Sequence, residues 1–119
     1  MKKTAQALKR FYGNFGLKAY SENDVPNDAT LPYITYPVVT PGSLAAGTSQ
    51  ARVWYRGTSP ADAYAKADEI AAAIGDGVVL DYGVTLRPGE PLMQKQPTED
   101  NMQVIYINLQ INTYHMIGA

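Results

Sequence analysis

The sequence predicts a single α+β domain in which a mostly antiparallel sheet carries two helices packed on one face. Two segments have the apolar periodicity of helices, and alternating segments fill most of the remaining chain. Strands that follow one another without helical crossovers pair antiparallel, and helices then cover one side of their sheet. The 119 residues are enough for one domain, residues 1–119, with its own core.

The first helix is expected from about Lys3 to Phe15, where apolar side chains recur every three or four residues. The second follows Ser59, a favourable N-cap, and Pro60, which suits the first helical position. Its apolar stripe is rich in alanine, so the helix can lie close to a sheet. Gly75 is expected to end it.

The polar segment 21–32 is predicted to be a turn region, and a strand is expected over 33–40. Pro37 lacks an amide hydrogen, which places that strand at a sheet edge or at a bulge. The connection 41–50 is longer than an ordinary hairpin turn, and we expect it to be a protruding arm that exposes Leu44. The remaining short strands are expected at 51–56, 78–81, 83–87 and 91–95.

The segment 102–116 alternates between apolar and polar residues, which predicts one long strand with two unlike faces. One face carries Ile105, Ile107, Leu109 and Ile111, and the other carries Tyr106, Asn108, Gln110 and Asn112. The second face is either solvated or meets another copy of the chain.

Composition and motifs exclude several classes of protein. The chain has no cysteine, so disulfides, thiolate zinc sites and cysteine nucleophiles are excluded. His115 is the only histidine, and no serine has the glycines of a nucleophile elbow. No apolar run approaches the roughly 18 residues that cross a bilayer, and the basic start lacks the apolar segment of a signal peptide. We therefore predict no enzyme, no cofactor, no metal ion and no membrane contact.

Arg52 and Arg56 flank Trp54 on one face of the strand 51–56, an arrangement that a base-stacking surface requires. The two arginines are the candidates for facing DNA. A partly buried tryptophan between arginines that lie along the surface explains the same residues. The formal net charge of −1 gives no overall attraction to nucleic acid.

Four segments in order are "TAQALKRFYGNF", "LPYITYPVV", "ARVWYRGTSPADAYAKADEIAAAIG" and "MQVIYINLQINTY". Together they span roughly residues 4–114, and this succession resembles the tail terminator proteins of long-tailed bacteriophages, also called tail completion or minor tail proteins. The resemblance implies a virion structural protein that forms a ring, typically a hexamer, on the last ring of the tail tube. Such a ring ends tube polymerisation and provides the surface to which the filled head docks.

The resemblance also implies the partners: further copies of the chain, the tail-tube protein, a head-completion or neck protein, and DNA only in transit through the channel. The protein would be assembled in the host cytoplasm and reside in the tail or neck of the virion. The polar face of the last strand would pack against a neighbouring subunit or line the channel, and the arm 41–50 would reach a subunit or the tube. Deleting residues 43–49 is then expected to abolish the ring or its docking and to leave the monomer folded.

Other interpretations stay open. Another phage neck protein, such as a head-completion or head–tail connector protein, is also a small ring-former. A stand-alone small-ligand-binding α+β domain would need a closed apolar pocket and predicts a stable monomer. An enzyme would need acidic residues from the loops 21–32 and 96–101 to converge.

Overall fold

The computed structural model describes residues 2–39, 47–98 and 101–113, and over these ranges it contains two α-helices, one 3-10 helix and six strands. In chain order they are α1 Lys2–Tyr12, β1 Lys18–Ser21, β2 Tyr33–Tyr36, β3 Gly47–Arg56, α2 Ala61–Ile74, β4 Val78–Val79, the 3-10 helix η1 Asp81–Gly83, β5 Val84–Gln96 and β6 Met102–Thr113. This content of helices and strands agrees with the predicted α+β class. Neither described α-helix is long and apolar enough to cross a membrane.

The strands form one curled sheet in the order β1-β2-β3-β6-β5-β4. β1 and β2 are parallel, whereas the other four pairs are antiparallel. The parallel pairing of β1 with β2 makes the sheet mixed. The predicted sheet was mostly antiparallel because β1, which comes before the loop 22–32, was not predicted as a strand. β6 lies in the middle of the sheet, where its two neighbours occupy both of its edges.

The apolar face of β6 lies in the core, as predicted. Its four predicted members are all almost completely buried: Ile105, Ile107, Leu109 and Ile111. Both helices contribute to the same cluster, α1 through Leu8 and Tyr12 and α2 through Ala63, Ala67, Ile70 and Ile74. Full burial of one aliphatic side chain of this size contributes about 1.5–3 kcal/mol, so this cluster is the main source of stability.

The helix ends differ slightly from the predicted ones. α1 ends at Tyr12 rather than near Phe15, just before Gly13, and the chain then turns through Gly16 at φ 78°. α2 begins at Ala61, whose amide donates a hydrogen bond of 3.2 Å to the Ser59 hydroxyl oxygen. Pro60, however, occupies the N-cap position and makes no side-chain cap hydrogen bond, so the prediction of Ser59 as the N-cap is wrong by one residue.

Two predictions about strands are wrong. β2 ends at Tyr36, so Pro37 lies outside it, and β2 is an inner strand between β1 and β3. The predicted strands 83–87 and 91–95 are one strand, β5, with a bulge between Pro88 and Met93. Gly89 permits this bulge, because a Cβ atom there would lie 2.8 Å from the carbonyl oxygen of Asn108.

The last residues of the predicted arm, 47–50, form a strand and not a loop. Residues 47–50 belong to β3 and pair with residues 108–111 of β6, and Ser49 is buried. Small and polar residues have low strand propensity, but pairing with the apolar β6 overrides it here. Deleting residues 43–49 would therefore remove part of the sheet rather than spare the monomer. Residues 41–46 with Leu44, and also His115, lie outside the described residues.

Candidate functional site: the polar face of the sheet

The predicted interface residues of β6 lie on the sheet surface opposite the apolar core, here called the polar face. Register extends this face to both neighbouring strands, because Gln50 lies opposite Asn108, and Arg52 and Gln94 both lie opposite Tyr106. Residues that are paired across strands share one side of a sheet. The polar face therefore crosses at least β3, β6 and β5.

Amide side chains form a hydrogen-bonded ladder across these three strands. Gln50 Nε2 donates to Asn108 Oδ1 at 2.9 Å. Asn108 Nδ2 in turn donates to the Pro91 carbonyl oxygen at 2.7 Å and to Gln94 Oε1 at 3.1 Å. The amide of Asn108 is thus fixed by the sheet itself, and the ladder gives the centre of this face polarity without charge.

Arg52, a predicted DNA-facing residue, lies beside this ladder with its charge compensated. Its Nη1 donates to Glu22 Oε2 at 3.3 Å, and its guanidinium carbon lies 4.8 Å from the centroid of the Tyr106 ring. A cation held between a carboxylate and an aromatic face is less available to a phosphate group. Arg56 is exposed at the end of β3 and makes no ion pair with a described residue. The structure therefore brings Arg52 into the site and leaves Arg56 at its margin.

An aromatic row continues the polar face toward β1. Trp54 Nε1 donates to Thr35 Oγ1 at 2.8 Å, and the Trp54 ring centroid lies 6.0 Å from that of Tyr33. Tyr20 packs edge-on against Tyr33 at 5.7 Å. The sequence pattern indicates Trp54 but not the two tyrosines, because only the register between strands places Tyr33 beside Trp54 and Tyr20 beside Tyr33. The half-buried, hydrogen-bonded Trp54 agrees with the interpretation of a packed tryptophan.

A cleft of about 670 Å³ runs over the ladder. Glu22 and Pro37 contribute to one side, Glu90 and Pro91 to the other, and Asn108 lies among the residues that line it. Over the described ranges no group of three or more histidine, aspartate or glutamate side chains is placed to hold a metal ion. The cleft offers hydrogen bonding by neutral amides over the ladder, and charged side chains around it: Glu22, Arg52 and Glu90.

The other predicted residues of β6 differ in their surroundings. Tyr106 and Asn112 are half-buried, and Asn112 lies opposite Thr85 of β5. Gln110 is exposed and opposite both Thr48 and Arg87. All four predicted residues therefore share one face, but Asn108 alone is the centre of the ladder.

In comparisons with known proteins, no protein-family model matches this chain, and no curated protein matches it in sequence. The resemblance to phage tail terminators therefore remains a prediction from the order of the sequence elements.

Proposed function

We propose that this chain is a structural protein of a phage virion, which forms a ring, typically a hexamer, that caps the tail tube. The ring ends tube polymerisation and presents the surface to which the DNA-filled head docks. Its partners are further copies of itself, the tail-tube protein and a head-completion or neck protein. DNA contacts it only while passing through the channel.

The observation that carries this proposal is the neutral, internally bonded centre of the polar face, and the exposed Arg87 lies away from this centre, opposite Gln110. A channel for DNA in transit has to be wetted, yet each uncompensated cation would bind a phosphate and hold the duplex back. The Gln50–Asn108–Gln94 ladder supplies polarity without charge, and Glu22 compensates Arg52. We assign this face to the channel wall.

The proposal places both helices on the apolar face of the sheet, away from the channel. Support comes from the single core cluster, in which buried residues of α1 and α2 meet the apolar side of β6. With one face covered in this way, the polar face is left for the channel.

A small-ligand-binding domain is the second candidate, favoured by the cleft over the ladder. Ligand sites are mostly apolar and bury most of the ligand surface. Glutamates, amides and an arginine take part in lining this cleft, and it is open to solvent. These properties suit a wet channel wall better than an enclosed ligand pocket.

The first test is the solution mass over a range of concentrations, by light scattering after size exclusion. We expect a species about six times the chain mass of 13.0 kDa, or a monomer that assembles when purified tail-tube protein is added. When tail-tube protein is added, a terminator is expected to arrest tube growth, whereas another neck protein would bind filled heads and leave tube length unchanged. A chain that stays monomeric and neither binds tubes nor limits their length would overturn the proposal.

The channel assignment has its own test. Gln110→Lys places a cation on the exposed part of the polar face, and Thr58→Lys places the same cation in the loop between β3 and α2. Both variants are expected to form rings and cap tubes. Only Gln110→Lys should slow DNA ejection from assembled particles, and equal ejection rates in the two variants would contradict the assignment.

A further inference from the structure

The two exposed large apolar side chains among the described residues lie close together in the sequence. Val79 is 73% exposed and Tyr82 is 46% exposed. Val79 belongs to β4, the outermost strand of the sheet, and Tyr82 to η1 directly after it. A single exposed apolar residue is ordinary. Val79 lies opposite Thr85, which lies opposite Asn112, so Val79 is on the polar side of the sheet and Tyr82 is the exposed apolar group next to α1.

Tyr82 is held in a conformation that presents its ring to solvent. Its backbone has φ 60° and ψ 24°, a left-handed conformation that is rare for a bulky residue. Two contacts with α1 hold this region: Lys3 Nζ lies 5.8 Å from the Tyr82 ring centroid, and Arg10 Nη1 lies 2.9 Å from Asp81 Oδ2. Unusual backbone of this kind persists where the surrounding structure imposes it, often at binding surfaces.

The surroundings of Tyr82 are basic. Lys9 and Arg10 line an open cleft of about 570 Å³ between α1 and η1. Lys3, Lys9 and Arg10 are all exposed, and within the described ranges Lys9 has no ion-pair partner. We call this surface the α1–η1 patch, which consists of Lys3, Lys9, Arg10 and Tyr82.

The exposed side of α2 has the complementary composition. Positions three or four residues apart share one side of a helix, and on this side lie Asp62, Ala65, Asp68 and Ala72, here called the α2 patch. All four are exposed. Neither aspartate forms an ion pair with a described residue. Small side chains between the carboxylates allow a partner to approach the helix closely.

We propose that the α1–η1 patch of one copy binds the α2 patch of the next copy. Cations would meet carboxylates, and the exposed ring of Tyr82 would cover the alanines. A two-fold contact of either patch with itself would instead bring like charges together. α1 packs against β1 and η1 and α2 against β3, β5 and β6, so different parts of the molecule carry the two patches.

A contact between unlike patches is head-to-tail, and such contacts close into rings when the rotation between neighbours allows it. The inference therefore rests on the proposed ring and specifies its subunit contact. It also separates two roles on one molecule, since the channel wall uses the polar face of the sheet and the subunit contact uses the helices and η1.

The test reverses the charge of each patch separately. One variant carries Lys3→Glu and Lys9→Glu, and the other carries Asp62→Lys and Asp68→Lys. The control, Lys18→Glu with Lys95→Glu, changes the charge equally at exposed positions outside both patches. Arg10 is left unchanged because its pair with Asp81 supports η1. Circular dichroism and urea unfolding verify that each variant is folded.

Each patch variant is expected to associate at least about tenfold more weakly than the wild type at low salt, and the control is expected to associate normally. A 1:1 mixture of the two patch variants restores complementary pairs and should recover the ring mass. High salt should weaken the wild-type contact because it screens exposed charges. These masses are measured by light scattering, with tail-tube protein present if the wild type assembles only on it.

The inference fails if folded patch variants assemble like the control, or if their mixture does not recover. It also fails if the reversals change binding of duplex DNA and leave assembly unaffected. In each of these cases the wild type still forms rings and caps tubes, so the proposed function stands. A wild type that neither assembles nor caps tubes overturns the proposed function, and the subunit contact with it.

Discussion

Replacing Asn108 with alanine is expected to destabilise the fold through the polar face and not through the core. The substitution removes the three hydrogen bonds that its amide makes to Gln50, Pro91 and Gln94. An intramolecular hydrogen bond contributes about 0.5–1.5 kcal/mol. Since water can reach the partners at this surface, the lower half of that range applies. For three bonds we therefore expect a loss of about 1.5–3 kcal/mol in the free energy of unfolding.

Urea unfolding measures this loss. Trp54 is the only tryptophan, so its fluorescence reports the polar face, and far-ultraviolet circular dichroism reports the whole fold. With a slope of about 2 kcal/mol per molar urea, the midpoint should fall by about 0.7–1.5 M. Gln110→Ala is the matched control, because Gln110 lies on the same strand and face but is exposed and makes no side-chain hydrogen bond with a described residue. The control should change the free energy of unfolding by less than about 0.5 kcal/mol.

Equal midpoints for Asn108→Ala and Gln110→Ala would refute the reasoning, because the ladder would then contribute nothing beyond an exposed amide. A changed slope would also contradict it, since the loss of surface hydrogen bonds alone should not alter the surface exposed on unfolding.

Two further predictions concern the core. Ile107→Ala should lower the free energy of unfolding by about 2–5 kcal/mol in the same titration, and a loss below about 1 kcal/mol would contradict the burial of Ile107. Burial, and secondarily the nearby Tyr36, raises the pKa of Tyr12 well above its usual value of 10. Since Tyr12 ionises near pH 10 only in the unfolded chain, the free energy of unfolding should be unaffected by this residue below about pH 10. Above that pH it should fall by up to about 1.4 kcal/mol per pH unit. The buried Tyr12 hydroxyl has no hydrogen-bond partner among described residues. Tyr12→Phe should therefore be at least as stable as the wild type at neutral pH and lose less stability at alkaline pH. Identical pH profiles of the two proteins would contradict this assignment.

The elements that sequence predicted well are those whose periodicity the core enforces. β6 alternates over its whole length because one of its faces is completely buried, and α2 has clear start and stop signals in Ser59 and Gly75. β1 and the first part of β3 were missed because their residues carry no such pattern. Those segments become strands through pairing with β2 and β6, which is a tertiary effect.

The site was predicted only in part for the same reason. Alternation within β6 placed Tyr106 and Asn108 on one face, but their partners come from other strands. Gln50 lies in a segment that was predicted to be a loop. Gln94 belongs to β5, and the bulge next to Gly89 sets the register that brings Gln94 beside Asn108. Side-chain period identifies a face, whereas register between strands decides which residues meet on it.

Net charge illustrates how an average can conceal the surfaces that matter. The formal net charge of −1 argues against strong phosphate binding by the molecule as a whole. In the fold, however, cations gather on α1, carboxylates gather on α2, and amides occupy the centre of the polar face. A ring around DNA requires such a partition, because subunits have to attract one another while the channel wall must not hold the duplex. Near-neutrality is therefore compatible with a strongly polarised subunit, and the charge-reversal mixture measures whether that polarity joins one subunit to the next.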